Sequence, residues 1–104
     1  MVLSKNKIIE QLVLHSAELE NFGLVRLGLF GSAARNESTQ NSDIDFIAEF
    51  DRSKKTYKNF IRLGFYLEQL FNCKVDLISK DSLPQNRDFT KIVNSEVEYV
   101  TFMA

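Results

Sequence analysis

Apolar positions along the chain switch several times between a helical and a strand periodicity. After Ser4, the stretch KNKIIEQLVLHSAELENFG sets Ile8, Leu12, His15 and Leu19 at helical spacing, with Ile9, Leu14 and Phe22 flanking the stripe. Ser4 is a suitable N-cap and Gly23 a natural stop, so the pattern predicts one amphipathic helix between them. LVRLGLF, Leu24 to Phe30, then predicts a mostly buried strand, and Gly31-Ser32 opens a short polar helix or turn. STQNS is loop, small and rich in turn formers. DIDFIAEF alternates: Ile44, Phe46, Ala48 and Phe50 make a core face, while Asp43, Asp45, Ile47 and Glu49 share the other.

A charged connection, DRSKKTYKN, leads into TYKNFIRLGFYLEQLFN, where Phe60, Leu63, Leu67, Leu70 and Phe71 predict a second amphipathic helix. KVDLIS is a short strand with Asp76 in its middle. Pro84 follows a loop, QNRDFTKIVNSE predicts a short helix, and VEYVTF a terminal strand. The chain has no internal repeat, low-complexity tract or linker.

Composition narrows the picture mainly by exclusion. A length of 104 residues is most economically one domain, 1–104, with room for a core but little for a second lobe. A formal net charge of -1 without any block of like charges gives no nucleic-acid or anionic-membrane signal. The N-terminal MVLSKNKIIEQL lacks an apolar core of signal-peptide length, and no apolar run approaches the roughly 18 residues of a membrane span. Cys73, the only cysteine, fits a reducing compartment and reads as a small apolar residue. A cytoplasmic location is therefore expected. His15, the only histidine, lies on an apolar stripe and reads as a half-buried packing residue rather than a ligand. Without a secretion signal, the Asn36-Glu37-Ser38 glycosylation triplet carries no meaning.

The acids give the chain its chemistry. Residues two apart on a strand point the same way, so Asp43 and Asp45 present their carboxylates side by side. Two ionised carboxylates at that spacing repel, and a divalent cation with a taste for hard oxygen, Mg²⁺ (or Mn²⁺), resolves the conflict. If KVDLI pairs beside DIDFI, Asp76 brings a third carboxylate to the same spot. Gly31 after a buried strand lets a ligand approach the backbone, Ser32 adds a hydroxyl, and Arg35 can meet a phosphate or pair with a carboxylate. Phosphates on one side and carboxylates on the other suit phosphoryl or nucleotidyl transfer by a two-metal route. The plainer reading has Asp43 capping a loop, Asp45 facing solvent and Asp76 on an exposed edge. Asp-x-Asp or Gly-Ser alone would not displace that reading; their ordered combination does.

LFGSAARNESTQNSDIDFIAEF with KVDLIS resembles the minimal nucleotidyltransferase domains, the smallest members of the DNA polymerase beta-like superfamily. The family pattern, a Gly-Ser, about ten residues, Asp-x-Asp and a later Asp, falls on Gly31, Ser32, Asp43, Asp45 and Asp76. Many relatives have Gly after the Ala-Arg pair; here Asn36 stands there, a residue that tolerates a left-handed backbone. The resemblance implies an α+β fold (an α/β sandwich), a mixed sheet flanked by helices. It also implies a Mg²⁺-dependent transfer of a nucleoside monophosphate, AMP from ATP or another NTP, to an acceptor hydroxyl. Asp43, Asp45 and Asp76 then serve as catalytic and metal-binding residues and Gly31 and Ser32 bind nucleotide; Arg35 joins the nucleotide-binding set from its own position one turn on.

Stand-alone domains of this family are often the antitoxin of a pair whose toxin is a small helical HEPN-type protein, and some adenylylate that partner on tyrosine. An open site with no second lobe makes a similar point, since it looks incomplete alone; a homo-oligomer is also open. The rival from another class is a non-catalytic binding module that neutralises or scaffolds such a partner by contact. Transfer to a small molecule is a third reading, weakened because relatives of that sort carry an additional acceptor-holding domain.

Overall fold

Ser4 caps the first helix as its sequence predicts: its hydroxyl accepts from the Lys7 N–H at 3.2 Å, in front of α1, Lys5–Leu14. The computed structural model describes residues 3–39, 42–82 and 87–102. The expected single helix is in fact two. It breaks at His15 (φ -104, ψ 24), and α2 runs Ser16–Asn21. The imidazole Nδ1 lies 2.9 Å from the Gln11 carbonyl, which also accepts from the His15 N–H at 3.1 Å. Ile8, Leu12 and Leu19 are buried as the stripe requires, and His15 is half-buried. Leu14, expected to flank that stripe, is 66% exposed, because the bend turns it outward.

Strand β1, Leu24–Phe30, runs straight into α3, Gly31–Ala34, a single turn. β2, Ile44–Phe50, starts one residue later than the alternation suggested, so Asp43 stands just ahead of the strand rather than in it. Thr56 caps α4, Tyr57–Phe71, by accepting from the Asn59 N–H, and Leu63, Leu67 and Phe71 are buried along its inner face. Asn72 ends it in the left-handed region (φ 53). β3, Val75–Ser79, α5, Arg87–Glu96, and β4, Glu98–Thr101, complete the fold. Pro84, the Gln85-Asn86 start expected for α5, and Gln40 and Asn41 of the polar loop lie outside the described residues. No helix among the described residues is long and apolar enough to cross a membrane.

The four strands form one mixed sheet in the order β3-β2-β1-β4. β1 pairs antiparallel with β2 and β4, and β2 pairs parallel with β3. Because side chains alternate, pairing fixes which residues share a face. Leu29↔Phe46↔Leu77 and Leu27↔Ala48↔Ser79 lie toward the main core, which also takes in Ile8, Leu12, Leu19, Leu63, Leu67 and Phe71. The opposite face carries the rungs Phe30↔Asp45↔Asp76 and Gly28↔Ile47↔Ile78, with Arg26↔Glu49 beyond. That face is not open along its whole length. Ile47, read from sequence as sharing the acids' face, is only 1% exposed, because Val97, Ile47 and Tyr99 converge over Gly28. The acids thus sit at one end of a face whose middle is covered.

Candidate active site

Four elements bring the expected residues to that end of the sheet. Asp45 projects from the first turn of β2, and Asp76 occupies the next rung on β3, at the parallel pairing Asp45↔Asp76. On the other side, Asp45 faces Phe30, the residue that leads into Gly31. Asp43 precedes the strand by one residue and is exposed, as is Asp76. β3 is an edge strand. Asp76 thus sits on the exposed edge that the plainer reading gave it, whereas Asp45, which that reading turned to solvent, is drawn in against its neighbours.

Burial pushes the Asp45 carboxyl up to about 6, with the negative charges of Asp76 and then Asp43 adding to it; Arg35 offsets part of the rise. Arg35, the cation that acts on it, is itself taken up by Glu37 and Glu96, which leaves a cluster of like-charged carboxylates. That is the chemistry of an oxygen donor set suited to Mg²⁺. The acids do not make a cage unaided, since among the described residues no three His, Cys, Asp or Glu side chains converge tightly enough to hold an ion. An ion placed here needs further oxygens, such as those of phosphates.

Gly31 provides the approach. Its φ of +76 is a backbone conformation open to glycine, and a Cβ there would overlap the Asp45 carboxylate. Its N–H donates to Glu96 Oε2 at 3.3 Å. Ser32 is half-buried, and its hydroxyl has no hydrogen-bond partner among the described residues. The backbone carbonyl of Ser32 accepts from the Glu37 N–H at 2.8 Å, folding the turn back on itself. Asn36 adopts φ 56, the left-handed conformation for which it was singled out, and its side chain accepts from the Lys5 N–H at 2.9 Å. Of the two partners open to Arg35, the structure shows carboxylates. Nε pairs with Glu37 at 3.0 Å and Nη1 with Glu96 at 2.6 Å.

Glu96 was not legible in the sequence as a site residue. It lies 65 positions from Gly31, at the end of a predicted helix, and nothing local marks it. A second feature also emerges only in three dimensions. A groove of about 290 Å³ runs between α4 and β3, lined by Phe60, Ile61, Phe65 and Leu77 with Asp76 among its walls. Phe65 is 63% exposed and Tyr57, two turns earlier on α4, 80%. A larger hollow, about 390 Å³ near Phe50, Lys55 and Ser82, has none of the acids in its lining. Cys73 is half-buried against the core, as its apolar reading required.

Comparison with known proteins gives a consistent result. The pattern that defines the nucleotidyltransferase domain matches residues 9–102. Protein adenylyltransferase MntA of Thermococcus cleftensis is 39% identical over 100 residues, 95% of this chain and 98% of that protein. A solved structure described as "putative minimal nucleotidyltransferase" superposes with a TM-score of 0.76 at 26% identity, covering 92% of this chain and 95% of the other. A toxin–antitoxin structure with AMP-PNP shares the fold at a TM-score of 0.65 and 23% identity, over 93% of this chain and 72% of that one.

Proposed function

The chain belongs to the nucleotidyltransferase-domain family and is a nucleotidyltransferase, and from that premise we propose that it transfers AMP from ATP to a hydroxyl on a partner protein. The observation that carries the proposal is the rung Phe30↔Asp45↔Asp76. It sets two carboxylates side by side next to the Gly31 turn, one of them raised to about 6 by burial and by the charges of Asp76 and Asp43. Asp43, Asp45 and Asp76 would hold Mg²⁺ (or Mn²⁺) in this reading. When bound, the ion neutralises the triphosphate and polarises the acceptor oxygen.

Each side chain has a defined task. The Gly31 N–H, the free Ser32 hydroxyl and the Arg35 guanidinium bind phosphate oxygens. The acceptor O–H gives up its proton toward Asp76, the exposed acid on the edge strand. The acceptor oxygen bonds to the α-phosphorus, the bond from that phosphorus to the β-phosphate oxygen breaks, and pyrophosphate leaves. Asp45, unprotonated above about pH 6, would take its place among the oxygens that hold the ion.

The acceptor side supports a polypeptide. Asp76 belongs to the edge strand that also walls the groove of Phe60, Ile61, Phe65, Val75 and Leu77, with Glu68 beside them, a mostly apolar surface suited to a protein segment. Adenylyl transfer is the activity named for the Thermococcus relative. We assign this chain the role of antitoxin to a small helical HEPN-type protein.

A second reading, a module that binds such a partner without turnover, draws on the absence of a ready-made ion cage among the described residues. One experiment separates the two. Incubation with ATP labelled at the α-phosphate, Mg²⁺ and the helical partner puts label on the partner if the enzyme reading is right. A tight unlabelled complex establishes the module instead.

A further inference from the structure

Two of the groups assigned above to the nucleotide's phosphates are already engaged, and by one side chain. Glu96 takes the Gly31 N–H on Oε2 at 3.3 Å and the Arg35 guanidinium on Oε1 at 2.6 Å. It is the last residue of α5, and its side chain is 19% exposed, a largely buried carboxylate split between a backbone donor and a cation. Carboxylate and phosphate oxygens ask for the same donors, and a guanidinium N–H beside a backbone N–H is a pair that a phosphate can take as readily. We propose that Glu96 is a resident anion in the phosphate seat, and that nucleotide binds by exchange, its phosphate oxygens replacing Glu96 on Gly31 and Arg35.

The inference rests on the nucleotide reading and adds a determinant of its affinity. Without the exchange, a triphosphate would meet Asp43, Asp45, Asp76 and Glu96 together, and Glu96 already adds to the negative charge felt by Asp45. The fold limits how the exchange happens. Two residues on, Glu98 is fixed opposite Leu29 in the sheet and bonded to Lys5 at 2.8 Å, while Val97 is wedged over Gly28. Glu96 therefore leaves by a side-chain swing, not by a slide of α5. Arg35 keeps its second carboxylate, Glu37, which is 64% exposed and does not touch Gly31. Glu37 thereby supplies the control for simple charge removal.

The test is calorimetric titration of the whole chain with Mg·ATP and, separately, with Mg·tripolyphosphate. Glu96→Gln should bind both about tenfold more tightly than the parent, the loss of one charge-assisted competitor, while Glu37→Gln changes affinity less than about twofold. Unchanged or weaker binding by Glu96→Gln overturns the exchange, as does an equal gain in Glu37→Gln, which would mean that charge alone is at work. Should Glu96→Gln misfold, carbon-13 detection of the Glu96 carboxylate in the parent decides: its signal moves on saturation with tripolyphosphate if the exchange is real and stays put if it is not. Failure of the underlying reading looks different, because neither parent nor variant would then bind Mg·ATP.

Discussion

Gly31 and Asp45 stand so close that no side chain fits between them: a Cβ on Gly31 would overlap Asp45 Oδ2 and come to 3.0 Å from its Cγ. The same glycine has φ +76, so any replacement is strained twice, by its backbone and by its neighbour. Gly31→Ala should cost about 1–3 kcal/mol of stability and at least about tenfold in Mg·ATP affinity. Ser32→Ala should fold like the parent, since its hydroxyl is unpartnered, and lose about fivefold in affinity for one missing hydrogen bond. Thermal melts with calorimetry check both; equal nucleotide binding by Gly31→Ala and the parent would show that the turn is no cradle.

Asp45 predicts a pH dependence whose sign is fixed. Its folded pKa, about 6, lies above the ordinary value of 3.8, so the folded protein holds the proton more tightly than the unfolded chain does. Stability is then full below about pH 4 and falls as pH rises through 6. Asp45→Asn should flatten that fall and be more stable at pH 7, by on the order of 1 kcal/mol after solvent screening. It should also abolish AMP transfer. Urea denaturation at pH 4 and pH 7 measures the first effect, and a variant with the parent's slope would remove Asp45 as its cause.

Asp76 separates binding from chemistry. It is an exposed residue on the edge strand, and the proposed mechanism gives it the acceptor's proton rather than the phosphates. Asp76→Asn should leave Mg·ATP affinity within about threefold and lower single-turnover transfer by about 10²-fold or more. Parallel loss of affinity would place Asp76 with the nucleotide instead.

Gly28 tests the covered middle of that face. A Cβ there would lie 2.5 Å from Val97 Cγ2 and 2.8 Å from both Ile47 Cγ2 and Tyr99 Cε1. Gly28→Ala should cost about 1–3 kcal/mol by overpacking, with Mg·ATP affinity retained when the protein is held well below its melting temperature. A melting temperature equal to the parent's would show that β4 yields easily.

These outcomes also mark what the sequence could tell. The inner stripe of α4, the alternation of β2 and the left-handed Asn36 are local matters, set by spacing and side-chain type, and all three are as read. His15 interrupts a stripe that continues in register on either side, so periodicity alone could not reveal the bend. Ile47 does share the acids' face as read, but Val97 and β4 cover it from 50 positions away, which spacing could not show. Glu96 reaches Gly31 and Arg35 only because β4 returns beside β1, a long-range fact with no local trace.

The parallel pairing of β2 with β3 has one more consequence. Ile44↔Val75 and Phe46↔Leu77 turn inward on the rungs either side of the one that brings Asp45 beside Asp76 outward. A slip of one residue would bury Asp76 and strand Val75 and Leu77 in water; a slip of two would carry Asp76 about 7 Å along the strand from its counterpart. The greasy side of the ladder thus acts as a gauge for the acidic side. Whatever keeps the interior in register therefore also keeps the acids in line.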